Sequence, residues 1–388
     1  MGNSEVQMMH DVTVGWFPRE RFSLAGESLR SLLENTPSCR LIIVDCNTPA
    51  RYMKEIRQAL GDRPAEIVST GRYLLPSAAR NLVIGMTKTK YVALVENDVL
   101  FSPSWLEKLI AACEEFPADI ASPVLYEGRG QKEHFDKKLG HIRPSSTLPG
   151  KYEVVPLSAP RNSAATRMKV DFVEQHCLVC RMSAFDRITH FNELHTRDDI
   201  DLGMAMYTQG CTAVLEPAVT VNFVGPSWRP AEDELPFFRY RWDLDGARRN
   251  REEIRRRWNL VETPGDMGFV TYRNLMARLP EVRASLTHLN AEPGETVLLE
   301  NGDWFGTDVV DGLSMRPFPD LGGCFGGFPE SDESAVAELD RAIAAGARRI
   351  VIGFPAYWWL DHLPALRARL ERGCRTARSD ELLKVLEV

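Results

Sequence analysis

The stretch that decides the fold is YVALVEND, residues 91–98, in which an apolar run ends in a Glu-Asn-Asp turn. An apolar run without a polar break is typical of a strand that is buried on both faces of a sheet. A second run of this kind, RLIIV at residues 40–44, ends in Asp45 and the turn sequence Cys-Asn-Thr-Pro. Both runs therefore indicate buried strands with polar residues at their carboxyl ends.

Strand and helix patterns alternate outward from these two runs. The predicted strands are 10–16, 40–44, 65–69, 91–95, 120–124, 170–181 and 213–223, and the predicted helices are 23–35, 52–60, 77–87, 104–115, 183–188 and 198–209. Such alternation implies βαβ units and a mainly parallel, doubly wound α/β sheet. Residues 128–168 are rich in Gly, Pro, Ser and Arg and are expected to form a long loop.

The length of 388 residues with 44% hydrophobic residues is enough for two or three domains. We expect the sheet domain to cover residues 1–230 and a mostly helical extension to cover 231–290. A Pro- and Gly-containing linker at 291–294 then leads into a small α/β accessory domain at 291–388, where two strand patterns flank one helix.

The net charge of −7 argues against a general nucleic-acid binder, which normally carries a basic face. The one basic run, 248–257, alternates with glutamates and indicates a solvated helix face. The apolar runs are far shorter than the roughly 20 residues of a membrane helix. The N-terminus lacks the apolar stretch of a signal peptide, so we expect no transmembrane segment and a cytoplasmic protein.

The cysteines do not indicate a metal or redox site. Cys177 and Cys180 form a lone CxxC pair in an apolar stretch, without the second pair that a zinc site needs. We expect both thiols to be buried and reduced.

Glu96 and Asp98 are the strongest candidates for a metal site. Two carboxylates at the end of one strand can offer oxygens to a hard cation such as Mg²⁺ or Mn²⁺, which completes its shell with phosphate oxygens. In parallel sheets, ligands bind beyond the carboxyl ends of the strands. Arg19 and Asp45 follow two other strands and are expected at the same edge. A solvated acidic turn is the alternative interpretation of the Glu-Asn-Asp sequence.

Asp198, Asp199 and Asp201 form a second acidic group within Arg-Asp-Asp-Ile-Asp. Mutual repulsion can raise the pKa of one carboxyl and leave a usable general base. The alternative is an acidic helix start that is stabilised by the helix dipole. His176, within Glu-Gln-His, is expected near the same site, although a lone histidine is more often structural.

Together these motifs resemble the inverting glycosyltransferases of family two, which have the GT-A fold. The resemblance covers roughly residues 10–260. It rests on LIIVDCNT at 41–48, Ala-Arg-Asn at 79–81, YVALVENDVLFSPSWL at 91–106, Phe-Asn-Glu at 191–193 with Asp-Asp-Ile-Asp-Leu at 198–202, and a basic-Trp element at 255–258.

The resemblance implies roles for individual residues. Asp199 would be the catalytic base, with Asp198 and His176 as acceptor-side candidates. The implied metal ligands are Glu96, Asp98 and Asn222, the last at a position where many relatives have histidine. The implied donor-binding residues are Phe17, Arg19, Asp45, Arg80 and Asn97.

These observations predict a metal-assisted inverting glycosyltransferase. The donor would be a nucleotide-diphosphate sugar, and the acceptor a saccharide or another hydroxyl-bearing molecule. Two alternatives stay open: a nucleotidyltransferase that makes nucleotide sugars, and a non-catalytic scaffold that binds sugars or nucleotides. The first normally has a Gly-rich basic loop after the first strand, where this chain has Gly-Trp-Phe-Pro-Arg.

Overall fold

The chain divides into two compact units, Met1–Val270 and Thr271–Val388. The structure, a computed structural model, describes residues 11–128, 139–157, 166–188, 191–224, 230–261, 267–287, 295–299 and 315–388. The division falls inside the stretch that was predicted to be helical. The predicted domain boundaries at residues 230 and 290 stay predictions, and the predicted linker at 291–294 lies outside the described residues.

The first unit is built on a large, mostly parallel sheet. Its strands and those of an adjoining hairpin are β1 (Val12–Phe17), β2 (Arg40–Asp45), β3 (Glu66–Ser69), β4 (Tyr91–Glu96), β5 (Val99–Phe101), β6 (Ile120–Glu127), β7 (Leu139–Pro144), β8 (Tyr152–Leu157), β9 (Met168–Val170), β10 (Cys177–Arg181) and β11 (Ala213–Phe223). The sheet order is β3-β2-β1-β4-β10-β6-β11-β5, with β9 also paired to β11. Strands β1 to β4, β6 and β11 run parallel, whereas β5, β9 and β10 run antiparallel to them.

Helices cover both faces of this sheet. They are α1 (Ala25–Asn35), α2 (Ala50–Leu60), α3 (Pro76–Met86), α4 (Trp105–Glu115), α5 (Asp198–Thr208), α6 (Leu235–Arg241) and α7 (Leu244–Arg257). One buried cluster joins α1, α2 and α4 to the sheet, and a second cluster joins α3 and α5 to the opposite face. The predicted doubly wound, mainly parallel α/β fold is therefore confirmed.

The close packing of α3 on β1 depends on Gly15. A Cβ atom at residue 15 would lie 2.3 Å from a methyl carbon of Val83, which is fully buried. Overpacking of this kind typically costs about 1–3 kcal/mol. Because α3 also carries Arg80, this glycine helps to set the distance between that arginine and the end of β4.

The prediction of a long loop over residues 128–168 is wrong for the described part of this stretch. Strands β7 and β8 pair as an antiparallel hairpin, and β9 joins the large sheet. The hairpin strands contain Gly140, two charged residues and two prolines, so they lack the apolar alternation that identifies a strand. Within the predicted strand at 170–181, only Val170, which ends β9, and Cys177–Arg181, which is β10, belong to strands. The predicted helix at 183–188 is a 3-10 turn over Met182–Asp186.

Two more helices, α8 (Gly268–Met276) and α9 (Leu279–Thr287), follow in the chain. The second unit contains a separate sheet in the order β13-β12-β16-β18-β17 and a two-stranded pair. Its strands are β12 (Glu295–Leu299), β13 (Met315–Phe318), β14 (Asp320–Leu321), β15 (Cys324–Phe325), β16 (Ala347–Gly353), β17 (Arg375–Ser379) and β18 (Leu383–Glu387). Its helices are α10 (Asp332–Ala344), α11 (Trp359–His362) and α12 (Pro364–Gly373). The small C-terminal α/β unit is therefore confirmed.

Candidate active site and metal centre

The end of β4 carries a cluster of three potential metal ligands. One ligand atom from each of Glu96, Asp98 and His176 lies within 4.8 Å of the others, and all three residues are buried. His176 Nδ1 lies 2.5 Å from Glu96 Oε2. The structure therefore brings together both predicted carboxylates and the histidine that was predicted to lie on the acceptor side.

The antiparallel direction of β10 explains the position of His176. Cys177, the first residue of β10, pairs with Val95, the residue before Glu96. The start of β10 therefore lies beside the carboxyl end of β4. The ring of Phe223, at the end of β11, stacks on the His176 ring with 4.1 Å between centroids. Three strands thus fix the imidazole beside the two carboxylates.

The donor set fits a divalent cation. Both carboxylate oxygens of Asp98 are buried, and no described residue forms a hydrogen bond with either of them. A buried carboxylate without a partner is costly unless it is protonated or binds a cation. Two carboxylates and one imidazole can supply oxygen and nitrogen ligands to Mg²⁺ or Mn²⁺.

The pKa values of the two carboxyls move in opposite directions. Burial raises the pKa of Asp98 to about 6, although Arg19 and His176 oppose the shift. Burial would also raise the pKa of Glu96, but His176, Arg80 and Arg19 together hold it below its usual value. Glu96 is therefore the more strongly ionised member of the pair.

Arg80 connects the metal cluster, by which we mean the candidate ligands Glu96, Asp98 and His176, to the acidic start of α5. One of its guanidinium nitrogens lies 2.7 Å from Glu96 Oε1, and another lies 3.0 Å from Asp198 Oδ2. Its guanidinium carbon lies 5.5 Å from the centroid of the Phe17 ring, and both residues are buried. Arg80 therefore contacts two of the predicted site residues at once, while Phe17 lies beneath it.

Arg19 and Asn97 belong to the same buried network. Arg19 Nε lies 3.1 Å from Glu96 Oε2, and its guanidinium carbon lies 4.6 Å from the centroid of the Phe223 ring. Asn97 Oδ1 accepts a hydrogen bond from the Arg19 backbone N–H, and Asn97 Nδ2 donates to the carbonyl of Arg21. These contacts fix the loop after β1 against the end of β4.

Asp45 lies at the same edge of the sheet but apart from the cluster. It ends β2, which is two strands from β4 in the order β2-β1-β4, or roughly 10 Å at ordinary strand spacing. Its carboxylate accepts hydrogen bonds from the Thr48 backbone N–H and the Ser69 hydroxyl. These bonds form the turn, and the partly exposed side chain remains near the surface.

Asn222 is not brought together with Glu96 and Asp98. Its side-chain Nδ2 donates to the carbonyl of Gly128 over 3.1 Å. The next residue, Phe223, is the one that stacks on His176. The described hydrogen bond of the Asn222 side chain is therefore with Gly128 and not with the cluster.

A cleft of about 240 Å³ opens beside the cluster. Its lining combines basic, acidic and aromatic side chains: Arg19, Arg80, Glu96, Glu174, Gln175, His195, Thr196, Arg197, Asp198, Asp199, Ile200, Arg241, Trp242, Phe269 and Val270. The first turn of α5 thus places Asp198 and Asp199 on the wall of a cleft that Glu96 also lines.

Asp201, in the same helical turn, is buried away from this cleft. Its Oδ1 accepts a hydrogen bond from Trp258 Nε1 over 2.7 Å and contacts Arg257 at 3.2 Å. The basic-Trp element at residues 255–258 therefore holds α5 in place through Asp201.

Two residues of the site were missed at the sequence level. Glu20 is fully buried, contacts Arg19 and Arg21, and accepts a hydrogen bond from Trp242 Nε1 over 3.1 Å. The alternating charges Arg-Glu-Arg directly after the first strand were the available signal. Gln175 lines the cleft, and nothing in its sequence context distinguishes it from an ordinary loop amide.

No described helix combines the length and apolar character that a membrane crossing requires. The predicted burial of the CxxC pair is confirmed, since Cys177 and Cys180 are buried free thiols.

Comparison with known proteins gives one family match, to the model described as glycosyl transferase family 2, over residues 20–189. A curated relative, the uncharacterized protein y4gI of Sinorhizobium fredii, is 25% identical over 254 residues, which are 62% of this chain and 26% of that protein. The chain thus spans about a quarter of the length of that relative.

Two solved structures are similar over part of the chain. GalNAc-T7 with UDP, GalNAc and Mn²⁺ has a TM-score of 0.43 at 12% identity, over 62% of this chain and 49% of that chain. TarS 1–349 of S. aureus in complex with UDP-GlcNAc has a TM-score of 0.40 at 13% identity, over 73% of this chain and 76% of that chain.

Proposed function

We propose, from the match of residues 20–189 to the model of glycosyl transferase family 2, that this protein is an inverting glycosyltransferase. It would move a sugar from a nucleotide-diphosphate donor to a hydroxyl group of a saccharide or another acceptor. The observation that carries the proposal is the buried cluster of Glu96, Asp98 and His176 beside a cleft that Asp199 lines. Such a transfer needs a well-held donor, a neutralised leaving group and a base.

The proposed cofactor is Mg²⁺ or Mn²⁺, held by Glu96, Asp98 and His176. When bound there, the cation would neutralise charge on the leaving diphosphate. The imidazole favours Mn²⁺ over Mg²⁺, because nitrogen ligands suit Mg²⁺ poorly. In this proposal the third metal ligand is His176, and not Asn222 as the family resemblance implied.

Asp199 is the proposed general base. Asp201 is buried against Trp258 and Arg257, away from the cleft, so the carboxylates of this turn that line the cleft are Asp198 and Asp199. Asp199 lines the cleft together with Asp198, at the helix start that Arg80 connects to the metal cluster. A base there would take the proton from the acceptor hydroxyl as it attacks the anomeric carbon.

The proposed donor contacts are divided between two places at the sheet edge. Arg19 and Arg80, both buried against Glu96, would lie beside the diphosphate. Asp45 would accept hydrogen bonds from the nucleoside. The nucleotidyltransferase alternative normally has a Gly-rich basic loop after the first strand, and the sequence Gly-Trp-Phe-Pro-Arg at residues 15–19 does not match such a loop. A cytoplasmic location and the absence of a nucleic-acid partner stay predictions.

A binding experiment tests the proposal directly. The thermal unfolding of the purified protein is measured with UDP, GDP, ADP and dTDP, each with Mn²⁺ and with excess chelator. A ligand that binds the native state at 100 times its Kd stabilises it by about 2.7 kcal/mol. We expect at least one nucleotide to raise the Tm in Mn²⁺ only. If no nucleotide raises the Tm under either condition, the proposal is wrong.

A further inference from the structure

Gln175 has a side-chain amide whose orientation is fixed by the protein. It is 2% exposed and lines the cleft. Its Nε2 donates to the backbone carbonyl of Asp198 over 2.9 Å. Because a carbonyl oxygen can only accept, the nitrogen of the amide must face Asp198. The amide therefore cannot be turned over without losing this bond.

The oxygen of the same amide has no partner among the described residues. The neighbouring Arg80 does not satisfy it, since Arg80 donates to the backbone carbonyl of Gln175 and to Glu96. A buried acceptor without a donor is costly, and Gln175 is one of the residues that line the cleft, so a hydrogen-bond donor of a ligand bound there would satisfy Gln175 Oε1. Hydroxyl groups are the neutral donors that sugars offer.

The position of Gln175 shows which sugar it would contact. In the sequence it precedes His176 of the metal cluster, and its side chain is bonded to the backbone beside Asp199. In the proposed function, which this inference requires, the donor sugar lies between the metal-bound diphosphate and the base. We infer that Gln175 Oε1 accepts a hydrogen bond from a hydroxyl of the donor sugar ring and thereby selects the sugar.

The test compares sugar nucleotides with the matching nucleoside diphosphates. Kd values in Mn²⁺ are measured by calorimetry for UDP, GDP, ADP and dTDP and for UDP-glucose, GDP-mannose, ADP-glucose and dTDP-glucose. Gln175→Met removes the acceptor at similar volume. For the pair that the wild type binds best, this variant should raise the Kd of the sugar nucleotide about 5- to 100-fold, as expected for a sugar hydroxyl left without its acceptor. The Kd of the matching nucleoside diphosphate should stay unchanged.

Gln175→Glu distinguishes the contact of Gln175 with the sugar from its hydrogen bond to the start of α5. This variant retains an acceptor oxygen but loses the donor to Asp198. We expect its ratio of sugar-nucleotide to diphosphate affinity to stay near the wild-type ratio. The inference is overturned if Gln175→Met raises the Kd of both ligands equally or of neither. It is also overturned if Gln175→Glu lowers the ratio of sugar-nucleotide to diphosphate affinity as much as Gln175→Met does. If no diphosphate binds the wild-type protein, the proposed function fails, and this inference fails with it.

Discussion

The backbone N–H of Glu96 donates to the carbonyl oxygen of His176 over 3.0 Å. This bond extends the β4–β10 ladder by one step, so Glu96 and His176, two candidate ligands from distant parts of the sequence, share one strand register. Sites built on strands are held more firmly than sites built on loops. We therefore expect the remaining ligands to keep their places when one of them is substituted.

The metal centre should depend on Asp98 and His176. Asp98→Ala and His176→Ala should each remove the advantage that Mn²⁺ gives to nucleotide-diphosphate binding, because each removes a ligand from a set of three. The measurement is the Kd of the diphosphate that stabilises the wild type best, with Mn²⁺ and with excess chelator.

Asn222→Ala is the matched control for this experiment. Its amide donates to the Gly128 carbonyl, so the variant should keep the full Mn²⁺ dependence. A loss of Mn²⁺ dependence in Asn222→Ala, with normal dependence in His176→Ala, would contradict this assignment. The third ligand would then be Asn222, as the family resemblance implied, and not His176.

Asp199→Asn should slow transfer by about 10²–10⁴-fold, the usual contribution of a general base. The amide retains the shape of the side chain but cannot take the acceptor proton, so the donor Kd should stay near the wild-type value. Single-turnover transfer and donor binding are measured on the same preparation. Wild-type transfer by Asp199→Asn would exclude Asp199 as the base.

Asp198→Asn should give a different pattern, because Asp198 pairs with Arg80, which also contacts Glu96. We expect weaker donor binding together with a smaller loss of rate. A large loss of rate with normal donor binding would instead assign the base role to Asp198.

Asp201→Asn should destabilise the protein rather than slow its chemistry. The buried carboxylate accepts from Trp258 and pairs with Arg257, and hydrogen bonds to charged groups contribute about 1.5–3 kcal/mol each. We expect the free energy of unfolding to fall by about this amount in urea titrations followed by tryptophan fluorescence. Asp245→Asn, at an exposed position on α7, should be neutral. Equal stability of the two variants would contradict the role given to Asp201.

The first unit, together with α8 and α9, should bind nucleotide without the C-terminal sheet. A chain truncated after Thr287 keeps every residue that lines the cleft, and the C-terminal sheet has its own buried core, drawn from residues between Val297 and Leu386. We expect this shorter chain to unfold cooperatively and to bind the diphosphate with the Kd of the full chain. Aggregation of the shorter chain would show that the units depend on one another.

Much of the fold was predictable from the sequence. Parallel strands buried on both faces are apolar throughout, so runs such as 40–44 and 91–95 located β2 and β4 within a residue or two. The resemblance to family two is confirmed by the match over residues 20–189. The hairpin β7–β8 was missed because its strands lack apolar alternation.

The site was predictable only in part, because strand direction leaves no trace in local periodicity. Glu96 and Asp98 follow an apolar run and could be proposed as ligands from that position alone. His176 precedes its strand, and it reaches the carboxyl edge only because β10 runs antiparallel. Gln175 and Glu20 depend on side-chain contacts over long sequence separations, which a single sequence does not contain. The role of Asp199 stays a prediction.

The first turn of α5 contacts two distant parts of the chain. Asp198 contacts Arg80 on one side, and Asp201 contacts Trp258 on the other, with Asp199 between them. The contacts of Asp198 and Asp201 thus help to set the location of Asp199. Substitutions at Arg80 and Trp258 should consequently show non-additive effects on transfer. Among homologues, we expect Arg80, Asp198, Asp201 and Trp258 to vary together and residue 199 to stay aspartate.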